Sequence, residues 1–65
     1  MNPDISIIIP LYNEVDNIEP LGYSIINAMQ GQNYEVVFVD DGSTDGSTQK
    51  LREWCTQHTN FRTIH

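Results

Sequence analysis

The sequence predicts an α/β fold with a parallel sheet, in the order β-α-β-α-β. Residues 5–9 (Ile-Ser-Ile-Ile-Ile) and 35–39 (Glu-Val-Val-Phe-Val) are short, continuous runs rich in β-branched side chains. Such runs read as parallel strands buried on two faces. The segments after each run carry apolar residues at helical spacing, and both runs stop at clusters of polar, turn-forming residues. In an open α/β sheet, ligands bind in the crevice beyond the carboxyl ends of the strands. The strand ends are therefore the place to look for chemistry.

The first strand exits through Pro10-Leu11-Tyr12-Asn13-Glu14. A helix is expected over residues 15–31, with Ile18, Leu21, Ile25, Ile26 and Met29 along one face. Asp16 or Asn17 is its natural N-cap, Pro20 falls within the first turn, where amide hydrogens lack intrahelical partners, and Gly31 stops it. The second strand exits through Asp40-Asp41-Gly42-Ser43-Thr44-Asp45-Gly46. Thr44 or Asp45 can cap the second helix, whose apolar contacts are Leu51, Trp54 and Cys55. Thr59-Asn60 breaks it, and residues 61–65 alternate as a third strand.

Sixty-five residues with nine Asp plus Glu, three Lys plus Arg and a formal charge of −6 describe an acidic globular segment. Nucleic-acid backbone binding needs many more cations, so no nucleic-acid partner is expected. No run approaches the ~20 apolar residues of a membrane-spanning helix, and residues 1–4 lack the basic region of a signal peptide. A cytoplasmic location is the expectation, or the cytoplasmic face of a membrane through segments outside this sequence. A lone cysteine, Cys55, offers neither an internal disulfide nor a zinc pattern. Domains of ~60 residues bury only ~60% of their unfolded surface. The size, with a third strand that leaves sheet edges open, predicts part of a larger domain and self-association through those edges.

Two adjacent carboxylates at a strand end cost desolvation and mutual repulsion unless a ligand, a metal or amide donors compensate. Alternation sends Asp40 and Asp41 to different sides. Asp41 is expected to face the crevice and accept N–H groups of a ligand, with Asp40 tied to nearby backbone; a second reading has both merely capping the turn. Residues 41–46 also match the opening of a calcium loop, but position 12 of that loop is Arg52 instead of glutamate, and a strand precedes it. No glycine-rich phosphate loop of known spacing is present. Pro10 fixes the exit direction of the first strand, Tyr12 offers a ring face to a flat ligand, and Glu14 offers a carboxylate. His58 and His65 read as surface or core residues, Cys55 as buried packing, and Trp54 as packing of its helix on the sheet.

The two strand-end motifs, residues 6–14 and 38–46, resemble in wording, order and spacing those of family 2 glycosyltransferases with the Rossmann-like GT-A fold. They are most similar to the branch that transfers a sugar to a polyprenyl (dolichyl or undecaprenyl) phosphate. The resemblance implies that Pro10, Tyr12 and Glu14 line the base and ribose of a UDP- or GDP-linked sugar, and that Asp41 hydrogen-bonds the base. It places Asp40 and Asp45 in supporting roles. It implies no catalytic residue and no metal ligand in this chain, because the Asp-x-Asp motif that holds Mg²⁺ or Mn²⁺ in the family is absent from the sequence. The 65 residues alone are thus expected to be inactive. The competing expectation is a stand-alone or fused βαβ binding module without catalysis, its sheet completed by a partner.

Overall fold

The computed structural model describes residues 2–65. Strands β1 (Ile5–Leu11), β2 (Tyr34–Asp40) and β3 (Phe61–Ile64) alternate with helices α1 (Ile18–Ala28) and α2 (Ser47–Gln57). The sheet is parallel in the order β1-β2-β3. Its register runs unbroken from Ile5 beside Tyr34 to Leu11 beside Asp40, and from Val36 beside Phe61 to Val39 beside Ile64.

Both crossovers step across the sheet in the same direction, so the right-handed rule places both helices on one face. The core lies there. Leu11, Val36, Phe38 and Phe61 from the strands meet Ile18 of α1 and Leu51 and Trp54 of α2. The other face carries Ile8, beside Val37, and Ile64, beside Val39. Ile8 is 59% exposed and Ile64 47%. Burial on two faces therefore holds for the centre of β2, where Val36, Val37 and Phe38 are buried, but not for β1. β1 is an edge strand covered by helices on one side, which leaves Ile8 exposed on the bare side; Ile5, at the strand's start on the helix side, is exposed less.

Helix α1 is shorter than its apolar pattern. Residues Val15–Asn17 form a separate 3-10 turn. Asn17 stands at the N-cap of α1, yet its side chain makes no capping bond and donates instead to Glu14 Oε2 at 2.6 Å. Pro20 occupies the third position, where its missing N–H removes no helix bond. The helix ends at Ala28, and Gly31, at φ 81°, turns the chain toward β2. That left-handed backbone suits glycine.

Helix α2 buries Leu51 completely and Trp54 almost so. The indole meets Phe61 edge-on at 5.5 Å and Tyr23 edge-on at 5.0 Å, and His58 stacks on it at 3.8 Å. Packing of Trp54 against the sheet thus agrees with its sequence. Cys55 is half-buried, and desolvation pushes its thiol pKa up.

Candidate functional site

The ends of β1 and β2 are in register, with Leu11 beside Asp40, and the Asp41 N–H donates to the Leu11 carbonyl at 2.9 Å. Tyr12 and Asp41 directly follow this last pair, and both are exposed. Asp40 points to the helix-covered side and is 4% exposed. Its Oδ1 accepts the Ser43 N–H at 3.1 Å, its Oδ2 accepts the Thr48 hydroxyl, and His65 Nδ1 lies 3.2 Å from Oδ2. Hydrogen bonds from Ser43, then Thr48, outweigh burial and lower the Asp40 pKa to about 2, with His65 adding to the effect. The adjacent carboxylates are divided as alternation requires. Asp40 is a buried acceptor that gathers the loop, α2 and the end of β3, and Asp41 is left at the surface.

Four further bonds stitch the segment after β1 to the loop after β2 and to the first residue of α2. The Asn13 N–H donates to Ser43 Oγ at 3.0 Å, and the Thr44 N–H donates to Asn13 Oδ1 at 2.7 Å. The Glu14 N–H donates to Ser47 Oγ at 3.0 Å, and the Val15 N–H to Asp45 Oδ2 at 3.2 Å. Each pairs a backbone donor with a side-chain acceptor, so neither loop is held by its own sequence alone.

Neither Thr44 nor Asp45 is the N-cap of α2. Gly46 occupies that position at φ 96°, a conformation costly for any residue with a Cβ. Asp45 acts from one residue earlier, where its Oδ1 accepts the Ser47 N–H at 3.0 Å and also the Ser47 hydroxyl. These bonds, with the Val15 amide, hold its carboxyl below the ordinary range. The expected help of Asp45 in starting α2 is present, in the form of an Asx-type turn.

Of the residues expected to line a ligand, Pro10, Tyr12 and Asp41 reach the surface at the strand ends. Glu14 is half-buried, and its Oε2 is engaged by Asn17. An exposed aromatic ring beside an exposed carboxylate can stack a flat heterocycle and accept its N–H groups. Sequence reasoning did not single out Asn13, Ser43, Ser47 or His65. The one local signal was an asparagine in a turn, a residue type tolerant of the left-handed backbone that Asn13 adopts at φ 51°. Among the described residues, no three His, Cys, Asp or Glu side chains gather so as to hold a metal ion, and both oxygens of Asp40 are already engaged by protein donors. The donor set present does not fit a metal site. Nor is any helix among them long and apolar enough to cross a membrane.

Residues 6–65 match the family model described as glycosyl transferase family 2. The chain is similar to a dolichol-phosphate mannosyltransferase of Pyrococcus furiosus, at 48% identity over 83% of this chain and 15% of that protein. It is 37% identical to glycosyltransferase AglE of Haloferax volcanii, over 95% of this chain and 21% of that one. An undecaprenyl-phosphate 4-deoxy-4-formamido-L-arabinose transferase of Edwardsiella ictaluri is 47% identical over 75% of this chain and 16% of its own length. Among solved structures, mannosyltransferase PcManGT from Pyrobaculum calidifontis, in complex with GDP-Man and Mn²⁺, superposes with a TM-score of 0.75 at 33% identity, covering 98% of this chain and 19% of that one. The chain therefore spans between 15 and 21% of the length of these relatives.

Proposed function

The chain belongs to glycosyl transferase family 2, and from that premise we propose that its strand-end crevice is the nucleotide half of a sugar-donor site. The observation that carries this reading is the placement of Tyr12 and Asp41 just beyond the last register pair of β1 and β2, exposed on two loops that are bonded to each other. Tyr12 stacks on the base, Asp41 accepts a base N–H, and Pro10 and Glu14 border the ribose. Uracil and guanine both offer such an N–H.

The activity of the whole protein is, on this reading, transfer of a sugar from a nucleoside diphosphate to a polyprenyl phosphate at the cytoplasmic face of a membrane. The bond from the anomeric carbon to the donor diphosphate breaks, an acceptor phosphate oxygen bonds to that carbon, and the nucleoside diphosphate leaves. Support comes from the polyprenyl-phosphate transferases among the similar proteins and from the neighbour solved with GDP-Man and Mn²⁺. The residues of this chain bind and orient the base. None of them is assigned to the bond-making step or to a divalent cation, and the 65 residues alone would transfer no sugar.

An NMR titration of the chain with GDP and UDP tests this, following the amides of Tyr12, Glu14 and Asp41. Saturable shifts confined to those strand ends are expected, and the tighter nucleotide identifies the base. A well-dispersed spectrum that neither nucleotide perturbs would overturn the reading for this chain.

A further inference from the structure

The structure assigns Asn13 as the positioning residue of the proposed donor site; we infer that it holds Tyr12 and Asp41 in their binding arrangement without touching the nucleotide itself. This rests on the nucleotide reading given above and adds to it a residue with a mechanical role.

Asn13 immediately follows Tyr12 and sits in the left-handed region at φ 51°, the only non-glycine residue to do so among the described residues. Asparagine tolerates this backbone better than most residues, and a β-branched residue there would be an outlier. The consequence is a sharp change of chain direction just after the tyrosine. The bend would leave the peptide exposed and mobile if nothing fixed it. Two bonds do so, one in each direction. The backbone N–H of Asn13 donates to Ser43 Oγ, and its side-chain Oδ1 accepts the Thr44 N–H at 2.7 Å.

The segment thus clamped starts at Asp41, whose N–H is bonded to Leu11, and ends at Thr44. Between these anchors, Gly42 sits at φ 80° and Ser43 is held by Asp40. Without the Thr44 anchor, the glycine-containing turn that carries Asp41 keeps its bonds at Asp41 and Ser43 but loses the one that fixes Thr44. Ordering it would then be charged to ligand binding, which lowers affinity even though no ligand contact is lost.

The experiment uses the 65-residue chain with GDP and UDP as probes, together with amide hydrogen exchange and thermal unfolding. Asn13→Gly keeps the backbone conformation and deletes the acceptor. It is expected to weaken nucleotide binding about fivefold, to speed exchange of the Thr44 amide, and to move the Asp41 resonance in the free protein. Asn13→Asp retains an acceptor oxygen and is expected to restore protection at Thr44. Ser43→Ala removes the other half of the clamp and should weaken binding in the same direction. Unchanged Thr44 exchange and an unchanged Asp41 resonance in Asn13→Gly would overturn the assignment. So would weaker binding matched by global unfolding at the titration temperature, since that marks a merely structural residue. If the wild type binds neither nucleotide, the donor-site reading fails, and the exchange and resonance measurements still decide whether Asn13 sets the geometry of Asp41.

Discussion

The indole of Trp54 occupies the space that a side chain on Gly22 would need: a Cβ built there would lie 2.2 Å from Cζ2 of the ring. Glycine on α1 is the condition for α2 to seat its tryptophan between Tyr23 and Phe61. Glycine in a helix interior costs ~1 kcal/mol against alanine, so an exposed Gly→Ala change would stabilise. Here Gly22→Ala is expected to destabilise instead, by about 1–3 kcal/mol, through overpacking against a large rigid ring. Urea unfolding followed by tryptophan fluorescence reads it directly; an increase in midpoint would show that Trp54 can move aside.

Asp40 makes stability depend on acid. Its folded pKa, about 2, is below its ordinary 3.8, so its contribution is complete above the ordinary value and is lost as pH falls through the folded one. Urea midpoints of the wild type should fall between pH 5 and pH 2. Asp40→Asn should start lower at pH 5, because the Ser43 and Thr48 donors lose an ionised acceptor, and should decline less over that interval. Parallel pH profiles for the two proteins would contradict this account.

Asp45→Ala removes the acceptor shared by the amides of Val15 and Ser47. Faster hydrogen exchange at both positions is expected together, although they are 32 residues apart in sequence, with little change in the centre of β2. Exchange that accelerates only at Ser47 would mean that the contact between the loops is not formed in solution.

The nucleotide reading predicts different effects from the two carboxylates. Asp41→Ala, at an exposed site, should leave the unfolding midpoint nearly unchanged and weaken nucleotide binding about tenfold or more, the worth of one hydrogen bond to an ionised acceptor. Calorimetric titration against circular dichroism melts separates affinity from folding. Equal affinity in Asp41→Ala would remove Asp41 from the site.

The parts of this molecule that could be read in advance are those set by local pattern. The three strands, the two helices and the crevice follow from β-branched runs, helical spacing and polar strand ends, and the opposite facing of Asp40 and Asp41 follows from alternation. What escaped the sequence depends on partners far along the chain. Residues 15–17 leave the helix pattern for a 3-10 turn, and the Val15 amide is bonded to Asp45, 30 positions away. His65 reads as a bland residue because nothing near it in sequence is acidic, yet the parallel register brings the end of β3 to Asp40. Nothing near Gly22 in sequence marks it as the residue that Trp54, on the next helix, packs against.

The sheet contains no hairpin, and this governs the order of events when the chain folds. Every β1–β2 pair joins residues 29 apart, and every β2–β3 pair residues 25 apart. Closing a loop of that length costs about 3 kcal/mol before the first pair forms, and no shorter-range strand contact is available to lower it. During synthesis β1 emerges before β2 and can pair with it only once Tyr34–Asp40 has followed. Until then the apolar stretch 5–9, interrupted only by Ser6, lacks the cover of β2, and of the elements between the two strands α1 is the one that local contacts can begin to assemble.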